Sequence, residues 1–118
     1  MDFLAWLTNH SLVVEYDVLD YYELDDATFL KLKIVLTDTS VLYTKEYIDE
    51  YARSYAFQWQ RADNIWRMRW DNVPHFPKLA SFRHHKHDYR SGSEVVTESF
   101  DISLAEVLAY IHSQLTNL

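Results

Sequence analysis

The sequence contains no cysteine, a single glycine and two prolines. Without cysteine there are no disulfides and no thiolate chemistry, which suits a reducing, cytoplasmic setting. The lone glycine, Gly92, excludes the glycine-rich phosphate loops of nucleotide-binding proteins. No apolar run reaches about 18 residues, so no membrane-spanning helix is expected. The opening MDFLAWLTNH has neither the basic start nor the long apolar stretch of a signal peptide. What is present is a globular composition. With 118 residues, 48 % hydrophobic and 16 % aromatic, one domain over 1–118 can bury a core without staples.

The net charge of −7 conceals an uneven distribution. Residues 1–50 hold three lysines against eleven acids, and residues 91–118 hold four acids with no lysine or arginine. Between them, residues 51–90 hold eight basic residues against three acids. A basic segment between acidic ones favours a local positive patch, the feature that binds polyanions.

Hydrophobic patterning predicts an α+β fold. Residues 2–9 suit a short helix with Asp2 as N-cap. Period-two alternation predicts strands within 11–24, where Leu12, Val14, Tyr16 and Val18 share a face, and over 28–36 and 41–48. Leu24 to Ala27 and Thr37 to Ser40 supply turns. A hairpin follows, with Tyr55, Phe57 and Trp59 on one face of 53–61 and Trp66, Met68 and Trp70 on one face of 65–71. Arg67, Arg69 and Asp71 share the opposite face. Ser103 to Glu106 reads as a capping box before the apolar stripe Leu104, Val107, Leu108, Ile111 and Leu115. The expected architecture is a mostly antiparallel sheet of about five strands, a meander, packed against a C-terminal helix with a short N-terminal helix. Residues 94–97 read as a short edge strand or extended segment.

The chemically dense stretch is 67–89. It holds four of the six histidines and both prolines, which make 72–82 a loop. If the run His84-His85-Lys86-His87 is extended, His85 and His87 project from one face and His84 and Lys86 from the other. Two imidazoles on one face can be an acid–base pair, a metal site completed by His75 or Asp71, or surface residues. RNA cleavage needs a base for the 2′-hydroxyl, an acid for the leaving 5′-oxygen and a cation for the phosphorane. His85 and His87 fit the first two roles, Arg69 the third, and Asp71 can orient an imidazole. That scheme needs no metal and no cofactor. Tyr55, Trp59, Trp66 and Trp70 would offer stacking platforms for bases, although aromatic rows at period two are more often core.

The order of these residues is itself informative. Tyr55-x-Phe57-x-Trp59-Gln60-x-Ala62-Asp63 is followed by Arg69-x-Asp71-Asn72-x-Pro74-His75-x-Pro77, then by Phe82-x-His84-His85-x-His87 and a helix from Leu104 to Ile111. Over about residues 10–115 this resembles the TumE family, the toxin half of TumA–TumE toxin–antitoxin pairs. At the position before His84, often proline in that pattern, this chain has Arg83. The resemblance implies a small prokaryotic protein that arrests growth when free. It also implies neutralisation by a cognate, DNA-binding antitoxin encoded nearby. It points to Arg69, Asp71, Asn72, His75, His85 and His87. With Arg67, His84 and Lys86 these make the candidate set, in which Arg67, Asn72, His75, His84 and Lys86 would hold the substrate. RNA cleavage follows by analogy with other toxins. A toxin that blocks its target without catalysis is the alternative, and the sequence leaves homodimer formation open.

Overall fold

A computed structural model describes residues 3–116. The strands are β1 (Val13–Leu24), β2 (Ala27–Leu36), β3 (Val41–Ile48), β4 (Arg53–Gln60), β5 (Trp66–Asp71), β6 (His85–Asp88) and β7 (Val95–Glu98). They lie side by side in chain order, and every neighbouring pair is antiparallel. The helices are α1 (Phe3–Thr8) and α2 (Leu104–Thr116). Asp2, the expected N-cap of α1, lies outside the described residues.

From β1 to β5 the connections are two to five residues long, enough to reverse a chain but too short to carry a parallel crossover, and the longer loops 72–84 and 89–94 return the chain to the same sheet. With glycine almost absent, other residues occupy the left-handed turn positions: Asp25 at φ 55°, Thr39 at φ 72° and Asn64 at φ 68°. Asp and Asn tolerate that region, whereas a β-branched threonine is strained there. The Thr39 turn is held by Asp38, whose Oδ1 accepts from the Ser40 backbone N–H at 3.0 Å and from the Ser40 hydroxyl.

One sheet face makes the core. Leu32, Ile34, Leu36 and Leu42 meet Tyr55, Phe57, Trp59, Met68 and Trp70, all of them buried. Leu104, Val107, Leu108 and Ile111 of α2 and Leu7 of α1 close the same cluster. Tyr110 packs edge-on to Trp70, ring centres 5.7 Å apart. The capping box forms as expected: the Glu106 N–H donates to Ser103 Oγ at 3.2 Å, and Glu106 Oε1 accepts from the Ser103 N–H at 3.1 Å. Among the described residues no helix is long and apolar enough to cross a membrane.

The expected five strands become seven because the HHKH run is itself a strand, β6, and Val95–Glu98 pairs on its far side. Both strands are four residues long, β6 wholly polar and β7 two adjacent valines before Thr97 and Glu98, so neither carries the apolar alternation that announces a strand. In β1, register shifts between Val13 and Glu15 and between Val18 and Asp20 break the simple alternation. Tyr16 and Val18 stand opposite Ile34 and Leu32, while Val14 falls in the first bulge and is exposed. β1 is an edge strand, paired on one side along twelve residues, and Glu15, Asp17, Asp20 and Glu23 are its charges.

Candidate functional site

β5 and β6 pair so that Arg69 stands opposite His87 and Asp71 opposite His85. Directly opposed residues of antiparallel strands share a face. All four side chains therefore lie on the face turned away from the helices, because Met68 and Trp70 take the core side. The hairpin register places Gln58 opposite Arg69, so the polar row of β4 borders the arginine face.

Asp71 is the hub. Its Oδ1 accepts from the Val73 backbone N–H at 3.1 Å and lies 2.9 Å from His85 Nε2. Its Oδ2 accepts from Arg69 Nε at 3.0 Å and lies 3.5 Å from His87 Nε2. The carboxylate and the His85 ring are each at most 4 % exposed. His85 Nδ1 faces the Arg83 carbonyl at 3.1 Å and so donates to it. Phe76, from the loop 72–84, lies edge-on to both imidazoles, ring centres 4.8 Å from His85 and 5.8 Å from His87.

His87 is the more open of the two rings, its side chain 12 % exposed. Its Nδ1 is buried without a hydrogen-bond partner, with Glu94 Oε1 3.5 Å away but outside bonding geometry. Tyr89 stacks parallel to His87, and burial, reinforced by Glu94, pushes the Tyr89 phenol up to about 12. Arg69 also donates from Nη1 to Gln58 Oε1 at 2.9 Å, leaving Nη2 without a protein partner among the described residues. The cluster thus joins two imidazoles and a guanidinium through one carboxylate. It can move protons and face an anion, and Asp71, His85 and His87 also place three ligand atoms within 4.8 Å of one another.

The remaining sequence candidates lie elsewhere. Arg67 is held by Asp38 at 3.1 Å. Asn72 clips two backbone groups of β4, accepting from the Tyr55 N–H at 3.0 Å and donating to the Arg53 carbonyl at 2.7 Å. His75 is exposed in the loop beside Phe76. Alternation puts His84 and Lys86 on the helix side, where His84 Nδ1 bonds the Tyr55 hydroxyl at 2.9 Å. Burial pushes that hydroxyl up to about 12. Tyr55, Trp59 and Trp70 are core residues rather than stacking platforms; Trp66 alone of the four is exposed.

Sequence reasoning missed what borders the cluster. Across the same face, Lys31 stands opposite Lys45, Lys45 opposite Ala56, and Ala56 opposite Asp71. In the next row Lys33 stands opposite Tyr43 and Tyr43 opposite Gln58. A depression of about 220 Å³ opens over Lys31, Tyr43, Lys45, Ala56, Gln58 and Arg69. The period-two spacing of Lys31 and Lys33 hinted at a shared face, but only the pairing register carries that face to Asp71. A larger concavity, about 480 Å³, is on the helix side between α1 and the β1–β2 hairpin. It is lined mainly by apolar residues such as Val18, Leu30 and Ile48 and is remote from the histidines.

Fold and site together define an α+β protein whose sheet is closed by helices on one face and polar on the other, around a His–Asp–His cluster. The chain belongs to the TumE toxin family: the family model for Toxin TumE matches residues 3–115. A toxin of this family implies an antitoxin as its partner. No curated protein and no solved structure matched the chain.

Proposed function

We propose that the toxin acts by cleaving RNA in the cytoplasm at the Asp71-centred cluster, by a metal-independent route. The observation that supports this is the convergence of Arg69, His85 and His87 on one carboxylate, on the sheet face that the helices leave uncovered. In such a cleavage an imidazole takes the 2′-hydroxyl proton, the 2′-oxygen attacks phosphorus, and the 5′-oxygen departs with a proton, leaving a 2′,3′-cyclic phosphate. His87 meets the substrate. His85, buried with both nitrogens engaged, is coupled to it through Asp71, so the two imidazoles work as one acid–base unit. Arg69 Nη2 faces the phosphate and stabilises the charge that develops there. Neutralisation falls to a DNA-binding antitoxin encoded nearby.

The test is expression of the toxin alone, wild type beside a His85→Ala/His87→Ala variant shown by circular dichroism to be folded. Growth arrest with new RNA ends in the wild type only is expected. Arrest by the folded double variant overturns the site, and arrest without RNA cleavage favours a toxin that blocks its target. A second reading is favoured by the ligand geometry. His85 donates from Nδ1 to a backbone carbonyl, the arrangement typical of metal-binding histidines, and turns Nε2 toward Asp71. A divalent cation would then lie between them, and the metal content of chelator-free protein decides between the two.

A further inference from the structure

Lysines rarely face each other across a ladder, because like charges directly opposed destabilise a sheet. Here Lys31 and Lys45 are directly opposed on β2 and β3, with Lys33 two residues along on the same face. Among the described residues none of the three makes an ion pair, although the chain has an excess of acids. Five of the six arginines do: Arg53 with Glu46, Arg61 with Asp63, Arg67 with Asp38, Arg69 with Asp71 and Arg90 with Asp88. Asp17 and Asp20 even stand opposite Lys33 and Lys31 on β1, yet neither closes onto its lysine. The Lys31–Lys45 contact is thus a like-charge pair that Asp20, on the far side of Lys31, offsets only in part.

We propose that Lys31, Lys45 and Arg69 form a phosphate-binding subsite that seats single-stranded RNA across β2–β6, with the scissile phosphate at His87 and one further along the strand over Lys45 and Lys31. The proposal rests on the ribonuclease function proposed above and supplies the substrate class of that site. Ala56 makes the subsite physically open. It is the one small side chain in the row between Lys45 and Asp71, and the depression of about 220 Å³ lies over it with no carboxylate in its lining. Lys45 and Arg69 are two strands apart and offset by two residues along β5, about 12 Å between backbones at ordinary strand spacing, so two long cationic side chains reach toward the same space. Tyr43 and Gln58 form its wall and offer a ring edge and an amide to a base or ribose. At the far side, Asp17 and Asp20 on β1 bound the track, so a polyanion stops at β2 instead of running off the edge.

The experiment measures fluorescence anisotropy with a labelled, 2′-O-methylated single-stranded RNA, which lacks the attacking hydroxyl and cannot be cut by the proposed route. Lys31→Ala and Lys45→Ala should each weaken binding several-fold and flatten the slope of log K against log salt by about 0.7. Both should raise the melting temperature, because the like-charge contact is gone, and Lys45→Arg should restore binding. A Lys78→Ala control, in the loop beyond the depression, should change neither affinity nor slope. Affinity and slope unaffected by Lys31→Ala and Lys45→Ala, or no binding by the wild type, overturn the subsite. Lysine-dependent binding with no cleavage of the unmodified RNA retains the subsite and sinks the nuclease. Cleavage that is indifferent to both lysines does the reverse.

Discussion

Asp71 and His85 are bound to each other in the protein interior, Oδ1 to Nε2 at 2.9 Å, and neither side chain is more than 4 % exposed. A buried pair of this kind is costly to break from one side, because the surviving polar group is left without a partner. Asp71→Ala should therefore destabilise the fold by about 3–5 kcal/mol, measured by urea unfolding. Asp71→Asn, which retains an acceptor and shape, should lose less stability while still abolishing toxicity.

His87 carries less of that burden, since it is held by packing against Tyr89 and Phe76 and its contacts with carboxylates are long. It is 12 % exposed and 3.5 Å from each of the carboxylates beside it. His87→Ala should leave the unfolding midpoint close to wild type and lower RNA cleavage by about 10²–10⁴, the usual contribution of a proton-transfer group. A folded His87→Ala protein that retained full cleavage would remove His87 from the chemistry.

His84, its sequence neighbour on the other face, behaves oppositely. The Tyr55 hydroxyl bridges His84 Nδ1 at 2.9 Å and the Phe100 carbonyl at 3.1 Å. Tyr55→Phe should cost about 1–3 kcal/mol through the polar groups it leaves unsatisfied. It should not alter RNA affinity, measured with the same labelled oligonucleotide.

Thr39 at φ 72° stores backbone strain. Thr39→Asn puts a residue that tolerates this conformation in its place and should stabilise the protein by about 1 kcal/mol in thermal unfolding. The Asp38 contacts on either side of the turn are unaffected.

On the acid side, the Arg90 guanidinium hydrogen-bonds the Asp88 carboxylate and holds it below the usual carboxylate range, with partial burial opposing. A carboxylate depressed in the folded state contributes stability that is complete above the unfolded value and fades as pH falls through the folded one. The stability difference between wild type and Arg90→Ala should thus be constant above about pH 5 and shrink below pH 4. A difference that grew on acidification would contradict the assignment.

The sequence announces the hairpins of β2 to β5 because Leu32, Ile34, Phe57, Trp59 and Met68 repeat at period two against a buried face. It announces α2 through the Ser103–Glu106 box. β6 is silent in those terms. His85 is buried, but under a loop aromatic, Phe76, and against a carboxylate rather than in the apolar core. Arg69, Asp71, His85 and His87 could be grouped in advance because β5 and β6 are close in sequence and each alternates. Lys31 and Lys45 could not, since their relation to Asp71 depends on three successive strand registers. Trp59 and Trp70 invite a stacking role by residue type alone; their parity with Phe57 and Met68 assigns them to the core.

The acidic edge at β1 bears on how copies of this protein meet. A free strand edge is a template for lateral growth, and β1 is long and apolar enough at Val14, Leu19 and Leu24 to nucleate it. Two such edges brought together would align Glu15, Asp17, Asp20 and Glu23 with their counterparts, and the two bulges would spoil the ladder. Crowded copies are thereby kept from stacking edge to edge into fibres, and the protection is written into charge and backbone kinks rather than into a covering element.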